Sequence, residues 1–184
     1  MSEQLISSQV SYRDAVEADF PVITAMYTQL NQFFYTAGYR LPHPENVGQV
    51  WLESFRRTLG RFSYVVVAEM PNEAGVLYVV GFMLARIKRV PPYMGGVLVG
   101  ELSDMWVARE ARRLGVGDKL SRLAMDWLRN QGVHSVEIQV LRDNEASWKL
   151  YDRMGFKLEY RVGRLLWDEY IEEPPLPPHK GGVC

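Results

Sequence analysis

The chain has 184 residues, of which 47% are hydrophobic and 23% charged; this suits one well-buried globular domain and is short for two. Basic and acidic residues nearly cancel, 21 against 22 for a formal net charge of -1, so the overall charge gives no basis for binding nucleic acid or an anionic membrane, and any phosphate binding has to be local. The one cysteine, Cys184, is the last residue, which rules out a disulfide within the chain and fits a reducing compartment. No apolar run nears the roughly 20 residues of a membrane span, and the opening MSEQLISSQV lacks the basic and apolar regions of a secretory signal. A cytoplasmic location is the expectation.

In chain order, Val10 to Arg13 reads as a short strand. Asp19 is placed to cap a helix starting at Phe20-Pro21, with proline in the first turn. Val22, Met26, Leu30 and Phe33 follow at helical spacing. Residues Tyr35 to Pro44, with Gly38, Pro42 and Pro44, form a loop, and a second helix covers Glu45 to Leu59. Phe62 to Glu69 and Val76 to Val90 are strands of a hairpin joined by the turn Pro71 to Gly75. After the break at Pro91 to Gly96, Val97 to Val107 is a fourth strand, antiparallel to the third.

Next comes an amphipathic helix, Gly117 to Gln131, with an apolar stripe of Leu120, Leu123, Ala124, Trp127 and Leu128 and Gly132 just past its end. Its length allows a parallel crossover to a strand over Ser135 to Leu141. A further helix spans Asn144 to Met154 and stops at Gly155. Phe156 to Tyr170 reads as a last strand region, broken at Gly163. The Pro/Gly-rich stretch 172–184 cannot join a helix or central strand and is set apart as a tail following a single domain over 1–171.

The most informative run is Arg112-Arg113-Leu114-Gly115-Val116-Gly117. Glycines at the start of a helix relieve crowding, and the first helical amides have no partner within the helix while the dipole adds positive character. Such a place attracts phosphates. Two arginines sit at the wrong end of the dipole for a cation, which a bound pyrophosphate would explain.

These residues resemble a known family. Arg112-x-x-Gly115-x-Gly117 is similar to the Q/R-x-x-G-x-G/A signature of the GCN5-related N-acetyltransferase (GNAT) superfamily, at the expected place after a long fourth strand. Asn144-x-x-Ser147-x-x-Leu150-Tyr151-x-x-x-Gly155-Phe156 resembles its second signature, with Ser147 in place of the usual alanine. Arg13-Asp14-Ala15 followed by Asp19 resembles its first strand and helix. The resemblance covers about residues 10 to 170. It implies an α/β (α+β) fold, a mixed, mostly antiparallel twisted sheet flanked by helices, with strands four and five splayed around the cofactor, and acetyl-CoA as co-substrate.

By the same resemblance, backbone amides from Arg113 to Asp118, through Leu114, Gly115, Val116 and Gly117, cradle the pyrophosphate, with Arg112 and Arg113 either pairing with phosphate or solvated. Trp106 and Val107 pair with the pantetheine arm like an added strand, and an N–H near Val107 polarises the thioester carbonyl. Tyr151, with an ordinary pKa of about 10, is the candidate acid for the departing thiolate. Asn144 either bonds the cofactor or caps its helix.

For the base, Glu101 is the first candidate. Asp104 is its rival, on the opposite face of a regular strand unless a bulge intervenes. Ordered waters are a third option, and a salt bridge from Glu101 to Arg86 or Lys88 is the plain structural alternative. Phe33, Phe34, Tyr35, Tyr39, Tyr93 and Trp167 are candidates to line the acceptor pocket, and Asp168, Glu169, Glu172 and Glu173 form an acidic cluster. His43, His134 and His179 have no metal-ligand spacing, so no metal is expected.

The expected activity is transfer of acetyl from acetyl-CoA to a primary amine, on a small molecule or peptide, by direct attack in a ternary complex. The alternative is a non-catalytic acyl-CoA-binding sensor or interaction module. Neither nucleic acid nor membrane is expected as a partner; a homodimer is left open.

Overall fold

The computed structural model describes residues 10–170. Five strands form one sheet in sequential order: β1 (Ser11–Asp14), β2 (Ser63–Pro71), β3 (Leu77–Arg89), β4 (Leu98–Val107) and β5 (Ser135–Ile138). The first four are antiparallel to their neighbours, and β5 runs parallel to β4. The helices are α1 (Phe20–Thr36), α2 (Val47–Arg56), α3 (Val116–Asn130) and α4 (Glu145–Arg153). This is the mixed, mostly antiparallel α/β architecture expected from the sequence, with α3 as the crossover that parallel β4 and β5 require.

Side chains alternate across the strands, and the sheet has a separate core on each face. On one side Val66, Met83, Ala85 and Leu102 meet Val116, Leu120, Ala124 and Leu128 of α3, with Leu150 and Tyr151 of α4. On the other, Val65, Val67, Phe82 and Leu84 meet Phe20, Ile23 and Met26 of α1 and Trp51, Leu52 and Phe55 of α2.

Three expectations need correction. The buried stripe of α1 is Phe20, Ile23, Met26 and Leu30, while Val22 and Phe33 are each 38% exposed; both sets have helical spacing, and contact with the sheet selects between them. Asp19 occupies the N-cap position but makes no side-chain cap bond. Its carboxylate instead accepts from the Val16 amide at 2.8 Å and from Arg13 at 2.7 and 2.9 Å, while Arg13 also reaches Glu69 on β2 at 2.6 Å. That pairing holds Asp19 below its ordinary pKa and ties β1 to the start of α1.

The third correction concerns the last strand region, Phe156 to Tyr170. Among the described residues this stretch has no strand, only a short 3-10 turn at Trp167–Glu169. Leu158, Tyr160, Val162 and Leu165 stay exposed, while Phe156 packs against the core. Alternation alone does not make a strand; a partner edge must be close enough to bond. The tail at 172–184 lies outside the described residues, as do residues 1–9 and 171.

α3 lies close on β4 because Gly100 has no side chain. A Cβ there would come within 2.8 Å of two Leu128 carbons and 3.1 Å of a third, and Leu128 is fully buried. Gly100→Ala is therefore expected to destabilise the chain by about 1–3 kcal/mol through overpacking. Thermal or urea unfolding checks this, and an unchanged midpoint would mean that the helix is free to move away.

Candidate active site

The site begins where β4 and β5 part. Their pairing runs from Val99↔Ser135 to Leu102↔Ile138 and stops, while β4 continues to Val107. Beyond Leu102, β4 has an unpaired edge toward β5. The amide of Ala108 donates to Val80 O at 2.8 Å, so by strand alternation the polar backbone groups of Val107 face the other way, toward the open edge. Consistent with this, the Val107 carbonyl accepts a bond from Arg112 Nε at 2.9 Å.

A bulge at the same point sets the side chains. On β3, Leu84 pairs with Asp104 and Ala85 with Leu102, leaving Ser103 as an extra residue. Before it, Glu101 lies opposite Arg86, whose guanidinium sits over the Phe55 ring on the α2 face. After it, Asp104 turns to that same face and accepts from Trp51 Nε1 of α2 at 3.0 Å. A regular strand would have separated the two carboxylates; the bulge brings them together.

Burial raises the pKa of both. For Glu101, desolvation is the leading cause, opposed by the charge of Lys88 and reinforced by Glu137. For Asp104, desolvation outweighs the bonds from Trp51 and Ser103, and Ser103 Oγ lies 2.8 Å from the same carboxylate oxygen. Lys88 forms its ion pair with Glu137, so the salt-bridge alternative for Glu101 takes the form of a nearby charge without a direct bond.

Tyr151 lies on the opposite side of the sheet, buried among the side chains that pack on α3 and edge-on to Phe156 at 5.5 Å between ring centroids. Burial pushes its phenol up to about 12, opposed by a hydrogen bond with Ser121 and assisted by the charge of Asp104. The influence of Asp104 on Tyr151 places the two within electrostatic reach although they belong to different faces.

The glycine run borders this gap. Arg113 and Gly115 both have left-handed backbones, φ 65° and 78°, and α3 starts at Val116, one residue earlier than expected. Lys119 N donates to Gly115 O at 3.0 Å, so the amides of Val116, Gly117 and Asp118 precede the first intrahelical bond. Gly115 serves the turn, since a Cβ there would meet nothing within 4 Å but the positive φ is strained for other residues. Gly117 serves the approach to β4, because a Cβ would lie 3.4 Å from Met105. Val116 is buried and Leu114 packs against the same core.

The two arginines differ. Arg112 folds back, stacking over Trp106 at 5.0 Å as well as bonding Val107. Arg113 is exposed. Asp118 is held by Arg122 at 2.7 Å, which offsets its negative charge at the helix start. Asn144 caps α4, accepting from Ser147 N at 3.2 Å, so the capping role is observed and its side-chain NH2 is left to donate elsewhere.

Of the aromatic residues expected to line an acceptor pocket, Tyr35 and Tyr39 line an open groove with Arg40, Leu41, Pro42 and Leu166, and Phe34 tilts against Tyr39. Tyr93 and Trp167 are 87% and 85% exposed and Phe33 is exposed too, so these three are not gathered there. Glu169 pairs with Arg40; Glu172 and Glu173 lie outside the described residues. Among the described residues no group of three His, Cys, Asp or Glu could hold a metal, and His43 instead bonds Asn31.

Sequence reasoning missed Trp51 and Tyr27, which stack at 4.3 Å behind Asp104. Their spacing along the chain carries no motif; only the helical periodicity of α2 signalled that Trp51 faces the sheet.

Comparison with known proteins bears on the family and the fold. The model of the acetyltransferase (GNAT) family matches residues 23–156. N-alpha-acetyltransferase 30 of Schizosaccharomyces pombe is 29% identical over 75 residues, 41% of this chain and 50% of that protein, so the chain matches about half the length of this relative. Among solved structures, a tetramutant protein of Bacillus halodurans superposes with a TM-score of 0.67 at 18% identity, covering 85% of this chain and 99% of that one. AAC(6')-Iy in complex with the bisubstrate analogue CoA-S-monomethyl-acetylneamine superposes at 0.64 with 19% identity, covering 85% and 97%. These structural likenesses bear on the fold, and the family match spans most of the chain: the protein belongs to the acetyltransferase (GNAT) family.

Proposed function

We propose that the protein transfers the acetyl group of acetyl-CoA to a primary amine by direct attack within a ternary complex. The observation that carries this reading is the unpaired edge of β4 beside the start of α3, with Glu101 and Asp104 on one side of the sheet and Tyr151 on the other. A CoA thioester fits that geometry. Its pyrophosphate suits the amides of Val116, Gly117 and Asp118, and its pantetheine arm suits the β4 edge at Val107, whereas the backbone groups of Trp106, expected to share that pairing, turn to β3 by the same alternation. The Asn144 NH2 is a further donor to the arm. A structural neighbour solved with a CoA-containing bisubstrate analogue supports CoA as the co-substrate.

Acetyl-CoA supplies the acetyl group as an activated thioester. The chain's residues do the rest. Glu101 takes a proton from the incoming ammonium, which frees the nitrogen lone pair for attack on the carbonyl carbon. The Val107 N–H, turned toward the open edge, donates to the carbonyl oxygen as it gains negative charge. As the carbon–sulfur bond breaks, Tyr151 gives its proton to the sulfur, the second proton shed by the nitrogen restores the Tyr151 phenol through water, and Glu101 releases its own to solvent; with a pKa of about 12, the phenol holds its proton throughout the neutral range. Arg112 fixes the end of β4 through Val107 and Trp106, and its contact with phosphate is not required.

Tyr151→Phe should lower kcat by roughly 100-fold or more while leaving acetyl-CoA affinity near the wild-type value. Thiol release and calorimetry measure the two quantities separately, and equal kcat at every pH would remove Tyr151 from the acid role.

The pH dependence has a definite sign. Because burial raises the Glu101 pKa, the carboxylate needed as base is lost as pH falls through a value above the ordinary 4.5. The acidic limb of kcat/KM should therefore sit above the usual carboxylate range and vanish or shift in Glu101→Gln. The same limb in the variant, at unchanged height, would transfer the role to Asp104 or to water.

A further inference from the structure

We infer that the acceptor is an amine with a carboxylate beside it, in the manner of an α-amino acid, and that Arg86 binds this carboxylate while Glu101 receives the ammonium. The inference rests on the acetyl-transfer reading and adds the class of amine. Ser63, Arg86, Glu101 and Glu137 stand in register across β2, β3, β4 and β5, so their side chains share the α2 face of the sheet. Residues directly opposite on antiparallel strands have Cβ atoms about 5 Å apart. Arg86 and the proposed base therefore border the same point on the sheet.

Arg86 is held in place and keeps donors to spare. Its Nη2 donates to Ser54 Oγ at 2.9 Å, its guanidinium lies 5.7 Å from the centre of the Phe55 ring, and its buried Nε–H has no hydrogen-bond partner. Among the described residues Arg86 forms no ion pair, although Glu101 faces it in register; Lys88, the other cation on this face, is taken up by Glu137. The cause lies in α2. Ser54 and Phe55 hold the guanidinium, and Trp51, one turn earlier on the same helix face, holds Asp104. One turn of α2 thus fixes a cation at one place and a carboxylate at another, with Glu101 unbonded on the strand that carries Asp104. A guanidinium fixed in this way binds a planar carboxylate through charge-assisted N–H bonds.

Charge favours the two ends together. An ammonium drawn to Glu101 comes beside Arg86 and is repelled by it. A carboxylate on the acceptor offsets that repulsion and pairs with the guanidinium. An amine without an anion lacks this compensation, and a phosphate ester brings a second negative charge toward Glu101 and Asp104. The carboxylate takes no part in the transfer, which forms the carbon–nitrogen bond and breaks the carbon–sulfur bond as before.

The test compares L-leucine, L-phenylalanine, L-glutamate and L-lysine, each beside its α-carboxamide, as acceptors in a thiol-release assay with acetyl-CoA, alongside calorimetry of acetyl-CoA binding. Each carboxamide keeps the amine and the side chain and lacks the negative charge. At least one amino acid is expected to exceed its carboxamide in kcat/KM by about tenfold or more. Arg86→Gln should bring that ratio down to near one, chiefly by raising the KM of the amino acid. Arg86→Lys, which keeps the charge without the fork, should retain part of the preference; this variant and the wild-type ratio still decide the matter if Arg86→Gln fails to fold. Carboxamides used as well as or better than the amino acids, or a preference that survives Arg86→Gln, overturns the carboxylate assignment and leaves acetyl transfer standing. Lack of release with every amine of the panel overturns it as well, and the calorimetry then shows whether acetyl-CoA binding fails with it.

Discussion

The extra residue at Ser103 and the parting of β4 from β5 after Leu102 are the constraints on which the site depends. A bulge increases local twist and re-aims the side chains that follow it. Here it turns Asp104 onto the face of Glu101 and Trp106 onto the core of α1 and α2, while Met105 and Val107 move to the α3 side. The neighbouring strand stops pairing at the same level, so backbone groups of β4 beyond Leu102 have no partner on β5. Unpaired edges are a liability in folded proteins unless covered or used; this edge is short, lies inside the molecule and is bordered by α3.

The electrostatics follow from that geometry. Two carboxyls on one face, both raised by burial, favour a positively charged neighbour. The bond from Trp51 and the proximity of Ser103 hold Asp104 in a fixed orientation, whereas Glu101 has no direct bond to Lys88 and keeps its carboxylate available. Tyr151 is treated oppositely: burial holds its proton in place. One set of groups is thus suited to accept a proton and the other to give one, on opposite faces of the sheet.

Much of this was legible in the sequence, for identifiable reasons. The two glycines at 115 and 117 have different physical duties, a left-handed turn and a close approach to Met105, and both leave a mark in the residue type. The helix after them, its stop at Gly132 and the cap at Asn144 were equally readable because capping and periodicity are local. The bulge was not, since Leu102-Ser103-Asp104 carries no local sign of which residue is unpaired; that depends on the partner strand. The choice between Ile23 and Val22 for the core of α1, the use of Asp19 for Arg13 instead of the helix end, and the unpaired course of 156–170 were hidden likewise, because each is decided by a tertiary neighbour.

The most direct test of the account is hydrogen–deuterium exchange of the backbone amides with and without acetyl-CoA. Seating of the coenzyme along β4 and at the start of α3 predicts slower exchange at Val107 and at Val116 to Asp118, with little change on β1 and β2. Saturable acetyl-CoA binding without protection at these amides, or with protection centred elsewhere, would contradict it.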